Sequence, residues 1–318
     1  MKDKLRLILG TMTFGSEADE KESHGMLQLF LNSGFNEIDT ASVYNKGETE
    51  TILGSVFKKL NTSDFSVATK VHPRVSSRLD GEAVKEQFEK SLKRMERDTI
   101  DILYFHLPDL QTPVEEPLEV MAELFHQGKI KEFGLSNFPV WMVVDIWHLC
   151  EKNGWPLPTV YQGMYNAFSR NIEAELLPVL RKFGIRFYAY NPLAGGMLTG
   201  KYTHYNNLPT QGRFFRSQVY KERYWKKSYF EALKNIMAKC YNFNIEPSES
   251  AYRWLAFHSS LSQQDGDGII IGASNLNQLD KNLLVLEKGI LPEPIVNEYN
   301  IAWEIVKKDS PDYFNFFS

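Results

Sequence analysis

Short apolar runs and stretches of helical spacing alternate along this chain. LRLIL, FNEID, FSVATK, IDILYFH, IKEFGLS, TVYQ, IRFYAY and GIIIGAS read as strands. Between and after them, apolar residues recur at helical spacing over 21–31, 49–60, 82–95, 114–126, 140–150, 172–183, 229–241, 248–258, 276–286 and 295–306. In 82–95, for example, Val84, Phe88 and Leu92 fall on one face. Eight strands separated by helices, with no Pro/Gly/Ser-rich linker, predict parallel strands joined by helical crossovers. Eight such units close into an α/β single domain over residues 1–318, a (β/α)8 TIM barrel. The rival open sheet usually carries GxGxxG after its first strand, whereas here GTMTFG follows. The longest connection, 191–226, comes after the seventh strand and contains GGMLTGKY, GRFFR and YKERYW. Its glycines, aromatics and arginines predict a lid over an anionic cofactor rather than a slack linker. A tail, 307–318, closes the chain.

Composition narrows the picture in three ways. With 43% hydrophobic and 24% charged residues in 318, a large core is expected and disorder is not. A net charge of −4 argues against nucleic acid or an anionic membrane as the main partner. Cys150 and Cys240 alone make no disulfide framework, which suits a reducing compartment. The apolar run in MKDKLRLILG is too short for a signal-peptide core, and no stretch reaches 18 apolar residues. The expectation is a soluble, cytoplasmic protein.

Barrel active sites sit at the C-terminal ends of the strands. Asp39, Lys70, His106, Ser136–Asn137, Gln162, Tyr190 and Gly272 all fall there, on seven different strands. Any one of them alone is unremarkable: a strand-end Asp often caps a helix, a lone Lys is usually a surface charge, and a lone His is usually a core residue. Their joint appearance at equivalent places is the signal. In FSVATK, Ser66, Ala68 and Lys70 share one face, and the small residues assign that face to the barrel interior. An inward ammonium needs a carboxylate, which Asp39 on the neighbouring strand can supply. Tyr44, five residues after Asp39, would then sit beside Lys70, which is expected to lower its pKa and make it a proton donor. His106, in register with Ile102 and Tyr104, reads as a neutral imidazole that orients a substrate carbonyl. Glu37 shares the inward parity of Asp39, and Arg186 is its expected partner on parity alone.

No metal constellation is visible: the seven histidines are scattered, with neither HxxxH nor CxxC. An organic hydride donor is the alternative. Tyr190 offers a nicotinamide ring a stacking face, and Ser136, Asn137 and Gln162 offer the hydroxyl and amides that would hold a carboxamide. The turn opening with Ser274 before a helix would meet a phosphate with free backbone N–H groups. Lys201 and Arg213 are further phosphate ligands, and these cations favour NADPH over NADH.

The motifs IDTASVYNKGETETILG, ATKVHP, IDILYFHLPD, GKIKEFGLSNF, YQGMYNAF, AYNPLAGGMLTGKY, GRFF and IIGASNLNQLDKN together resemble the aldo-keto reductase superfamily, from Ile8 to about Phe314. Within it the chain is most similar to the aflatoxin-aldehyde reductase (family 7) branch, which shares AYNPLAGG, GRFF and a Pro-x-Tyr-Phe ending, here Pro311 to Phe314. The resemblance implies a (β/α)8 barrel that reduces aldehydes with NADPH, including dicarbonyls, semialdehydes or aflatoxin-type dialdehydes. It places a catalytic tetrad on Asp39, Tyr44, Lys70 and His106, with Tyr44 as general acid. Cofactor contacts would fall on Asp39, Ser136, Asn137, Gln162, Tyr190, Asn191, Leu193, Gly195, Lys201, Arg213, Gly272, Ser274, Gln278 and Asn282. Substrate would meet Met12, His106, Tyr220, Arg223, Trp225 and the tail. The branch is typically cytosolic and dimeric, so a homodimer is expected. Branch members that act on succinic semialdehyde carry a basic residue just after the Tyr-Phe of the tail. Asn315 stands there instead, and an amide is no ion-pair partner for a substrate carboxylate. Lys281 stands where relatives often carry an acid. Ion-channel β-subunits share this fold and hold NADPH mainly for sensing or assembly, which leaves a cofactor-binding auxiliary subunit as the alternative. A barrel hydrolase or isomerase is a third.

Overall fold

The computed structural model describes residues 5–315. Eight strands, β1 (Arg6–Gly10), β2 (Glu37–Asp39), β3 (Ser66–Val71), β4 (Ile100–Phe105), β5 (Ile130–Ser136), β6 (Pro158–Met164), β7 (Arg186–Tyr190) and β8 (Gly268–Ile271), pair in parallel, each with the next. β8 returns to β1, so the sheet closes into a barrel in chain order. The helices are α1 (Glu20–Asn32), α2 (Glu48–Phe57), α3 (Pro73–Ser76), α4 (Gly81–Met95), α5 (Glu115–His126), α6 (Val140–Asn153) and α7 (Leu176–Lys182). The 191–226 connection holds α8 (Arg213–Arg216) and α9 (Gln218–Tyr224), and then come α10 (Lys227–Asn242), α11 (Pro247–Phe257), α12 (Leu276–Leu284) and α13 (Glu293–Val306).

Every strand foreseen from the apolar pattern is present, with TVYQ extended to seven residues. The helical stretch expected over 172–183 divides into a 3-10 turn, Asn171–Glu173, and α7. The break falls at Glu175, whose φ of −136° lies outside helical space. α12 likewise stops at Leu284 and tightens into a 3-10 turn, Val285–Lys288. α3 was not foreseen. It is a single turn, opened by Pro73 and capped by the His72 side chain.

Alternation along the strands sorts the core into two shells. Outward-facing Val67, Leu103, Phe133, Phe187 and Ile269 pack under the helices. Inward-facing Ile8, Ala68, Ile102, Tyr104, Val160, Tyr188 and Ile270 fill the barrel itself. Tyr104 fits there because β5 places Gly134 opposite it, where a Cβ would stand 2.4 Å from the ring's Cδ1.

Below this apolar layer lies a closed polar network. Arg6 donates to Glu37 (2.9 Å), the Tyr188 hydroxyl donates to the other Glu37 oxygen (2.6 Å), and Arg186 Nε donates to Tyr188 Oη (3.1 Å). Arg186 also meets Glu132 with both terminal nitrogens (2.5 and 2.9 Å), and Thr159 donates to the same carboxylate (2.5 Å). The partner of Glu37 is therefore Arg6 and not Arg186, which goes to Glu132. Strand stagger in a barrel moves side chains of equal parity to different levels, and parity alone cannot rank them.

The long connection has its own small core. Trp225 packs edge-on against Tyr202, Phe214 and Phe230, at centroid distances of 5.4, 5.2 and 4.9 Å. Its Nε1–H donates to the Tyr205 carbonyl (2.9 Å).

Candidate active site

A cavity of about 540 Å³ opens at the C-terminal ends of the strands. Of the residues singled out in the sequence for chemistry, cofactor or substrate, Lys70, Asn282 and Trp225 do not line it; all the others do. Trp225 is buried in the aromatic cluster just described, and Asn282 turns its amide to the Gly272 carbonyl (3.4 Å). Lys70 lies one layer beneath the surface, fully buried. Phe316 to Ser318, at the end of the expected tail, lie outside the described residues.

Lys70 Nζ donates to both oxygens of Asp39 (2.8 and 2.7 Å) and to the Thr40 carbonyl (2.7 Å), which uses all three of its protons. Asp39 accepts a further bond from Gln162 Nε2 (2.7 Å). An ion pair this deep persists only because its hydrogen bonds are complete. Burial pulls the Lys70 ammonium down from its ordinary value, and Asp39 works in the opposite direction.

Tyr44 reaches this pair from the β2–α2 loop. The loop is pinned where Asn45 Nδ2 and Thr49 Oγ1 both donate to the Phe14 carbonyl (2.8 Å each), with Asn45 and Lys46 in left-handed backbone. Lys70 Nζ is 5.3 Å from the centre of the Tyr44 ring. The expected lowering of the phenol pKa is not what this geometry gives. Burial first, then the Asp39 charge and the nearby Tyr220, push Tyr44 well above its ordinary value. Burial disfavours the phenolate, and Lys70, with two of its three protons on Asp39, does not offset that cost.

His106 stands beside Tyr44, ring centres 5.9 Å apart and nearly perpendicular. Burial, with Lys70 next, holds His106 well below the usual histidine range, so its imidazole is neutral. Asn137 follows β5 with a positive φ of 61°, a conformation asparagine tolerates. Its Nδ2 donates to the His106 carbonyl and to Ser136 Oγ (2.9 Å each), and its Oδ1 accepts from the Tyr190 hydroxyl (2.7 Å). Three strand ends are thus tied across the cavity floor.

Around the rim, Asn191 Oδ1 accepts from the Gly195 N–H (2.7 Å), which folds the start of the long connection back over β7. Tyr220 lies between two guanidinium groups, Arg213 at 4.9 Å and Arg223 at 5.9 Å from its ring centre. Neither Lys201 nor Arg213 has a carboxylate partner among the described residues, although both line the cavity. Unpaired cations in a concave site favour an anionic ligand. At the end of β8, a Cβ on Gly272 would meet nothing within 4 Å, so the floor there lies open.

The α12 terminus differs from expectation. Asn275 caps the helix by accepting from the Gln278 N–H (2.9 Å), Gln278 accepts from the Ser274 N–H (3.0 Å), and Glu22 of α1 accepts from the Leu276 N–H. Three of the N–H groups at this helix start, those of Ser274, Leu276 and Gln278, are thus bonded within the protein.

Among the lining residues not singled out in the sequence, four carry ionisable acidic or basic side chains: Glu17, His72, Arg74 and Arg216. His72 was within reach, since alternation from Lys70 makes it the next inward position. Glu17 and Arg216 pair with each other (3.1 Å), a contact between distant loops that no local pattern encodes.

A model of the aldo/keto reductase family matches residues 6–303. The chain belongs to that family. This aldo/keto reductase is 44% identical over 318 residues to aflatoxin B1 aldehyde reductase member 2 of Rattus norvegicus, covering 96% of this chain and 87% of the relative. It is equally similar, 44%, to aldo-keto reductase family 7 member A3 of Homo sapiens, with 96% of each chain covered. An aldo-keto reductase of Pseudocercospora fijiensis is 38% identical over 298 residues, 91% of this chain and all of the relative. The family is one of oxidoreductases, in agreement with a cavity that gathers a phenol, a neutral imidazole and cations without a carboxylate partner among the described residues.

Proposed function

We propose that this reductase converts aldehydes to alcohols with NADPH, and that Tyr44 delivers the proton. The observation that carries this reading is the meeting of Tyr44, neutral His106 and the Lys70–Asp39 pair in the cavity that Lys201 and Arg213 also line. The residues fit the cofactor: two unpaired cations suit its phosphates, and Gly272 leaves the groove floor open. Ser136, Asn137 and Gln162 would hold the carboxamide, and Tyr190 would face the ring. Bound there, reduced nicotinamide supplies the hydride.

The protein's own part is proton placement and charge. His106, neutral, donates a hydrogen bond to the carbonyl oxygen without bringing a cation beside it. As charge develops on that oxygen, Tyr44 gives up its hydroxyl proton, the O–H bond of the alcohol forms, and the phenolate is reprotonated from solvent. A phenol held above its ordinary pKa stays fully protonated at any working pH, and an alkoxide is a strong enough base to take its proton. Lys70 and Asp39 keep the base of the site rigid and electrically balanced. Met12, Tyr220, Arg223 and Asn315 would bound the substrate, with Asn315 removing one reason to prefer a carboxylated aldehyde.

The test is turnover of 2-nitrobenzaldehyde with NADPH, beside Tyr44→Phe. Loss of the general acid should lower kcat about 100-fold or more while NADPH still quenches protein fluorescence. Near wild-type reduction by the variant would remove Tyr44 from the chemistry.

A further inference from the structure

Among the described residues, His106 has no side-chain hydrogen bond to set its orientation. Its polar ties are through the backbone: its N–H donates to the Val71 carbonyl (3.0 Å), and its carbonyl accepts from Asn137. Nδ1 is buried with no hydrogen-bond partner among the described residues, which leaves Nε2 as the nitrogen able to face the cavity. A histidine χ2 is broad and two-fold, so an imidazole without polar anchors turns unless packing stops it.

Two aromatic rings pack against it: Tyr44, and His72, which meets His106 at 4.8 Å between centres and 73° between planes. His72 is itself held at several points. Its Nδ1 accepts from the Arg74 N–H (3.0 Å), which puts the proton of the neutral ring on Nε2. Its backbone N–H donates to Gln87 Oε1 (2.9 Å), and its carbonyl accepts from Gln87 Nε2 (3.2 Å). Gln87 is buried and is joined through Ser42 Oγ (3.2 Å) to the Lys70 carbonyl (2.8 Å). The wall behind His106 is therefore clamped to the strand that carries Lys70.

We propose that His72 is a positioning residue for the reduction: its ring fixes the rotation and the tautomer of His106, so that His106 presents Nε2–H to the substrate oxygen. The inference rests on the reading of His106 as the group that hydrogen-bonds the carbonyl. The physical reason is the dryness of the Nδ1 side. A proton on Nδ1 would be an orphaned buried donor, which costs more than an orphaned acceptor. With the ring of His72 packed against the imidazole and Nδ1 buried, Nε2–H is the single affordable state. Removing the ring admits water, which can pair with either form of Nδ1 and lets the imidazole turn.

Two variants separate the ring from the cap. His72→Asn keeps an acceptor for the Arg74 N–H, since asparagine is a good N-cap, and deletes the ring. His72→Phe keeps a ring and deletes the acceptor. The readouts are imidazole ¹⁵N shifts of His106, which report the tautomer, and kcat against KM for 2-nitrobenzaldehyde. His72→Asn should average the His106 ¹⁵N shifts between tautomers and lower kcat about tenfold with NADPH affinity unchanged. His72→Phe should keep a single Nε2–H tautomer and a kcat within about twofold of wild type. A His72→Asn protein with wild-type kcat and an unchanged tautomer overturns the role, as does a His72→Phe protein impaired as severely as His72→Asn. If wild type reduces no aldehyde while the ¹⁵N change still follows loss of the ring, the proposed function fails and the placement of His106 by His72 stands.

Discussion

The two ends of this barrel use the same kinds of side chain in opposite ways. At the N-terminal end, Arg6, Glu37, Tyr188, Arg186, Glu132 and Thr159 answer one another until little hydrogen-bonding capacity remains. At the C-terminal end, one ion pair is equally complete, but around it stand a phenol, an imidazole with an unpartnered Nδ1 and two cations without carboxylates. Closure makes a plug, and spare capacity makes a site. The difference follows from which strand end each residue occupies, because only the C-terminal ends open onto loops that can receive a ligand.

The largest effect should come from Asp39→Asn. It leaves the Lys70 ammonium buried with an amide in place of its counter-charge, at a cost of about 3–5 kcal/mol. Denaturant unfolding should record that loss, together with a fall in aldehyde turnover of about 100-fold. A variant as stable as wild type would show that the upper ion pair is no more than ornament on the fold.

Next in size is a pH effect at the upper end. Burial, then the neighbouring Arg74, lowers His72 from 6.5 to about 4. Between those values the unfolded chain binds a proton that the folded chain refuses, so stability is full above 6.5 and falls as pH drops toward 4. The loss is roughly 3 kcal/mol for a shift of this size, and His106 adds to it in the same direction. The lower end behaves differently. Burial alone would raise Glu132, but hydrogen bonds from Arg186 and Thr159 carry it below its ordinary 4.5, so its contribution is lost only below that value. Unfolding free energies at pH 7 and 5, for wild type and His72→Asn, should show a drop in the first that is smaller in the second.

The smallest of the three is Arg186→Met. It unpairs Glu132 at a half-buried position and should cost on the order of 2 kcal/mol while kcat stays at its wild-type value. A parallel fall in kcat would mean the plug and the site are one unit.

The contrast between the ends also explains what the sequence could disclose. Alternation placed Asp39, Lys70 and His106 on the inner face because a strand has only two faces, and Ser136, Gln162 and Tyr190 were found from their place at strand ends. It could not choose between Arg6 and Arg186 for Glu37, since stagger is a property of the closed sheet. The direction of the Tyr44 shift was missed because it depends first on how deeply the phenol is buried, then on the Asp39 charge beside it, and no motif contains that depth. The α12 terminus also holds a bond that no local pattern encodes, since Glu22, which accepts from the Leu276 N–H, lies on α1, more than two hundred residues earlier. Trp225 was assigned to substrate by the family resemblance, but here it packs against Tyr202, Phe214 and Phe230.

Gly134 and Tyr104 carry a consequence for how such a barrel can change over time. With a Cβ at 134 only 2.4 Å from the tyrosine ring, the two positions share a single allotment of volume. Neither can be enlarged alone, and descendants of this chain that acquire a side chain at 134 must first have given up the aromatic at 104. The order of those two steps is fixed by sterics, whatever the reaction above them becomes.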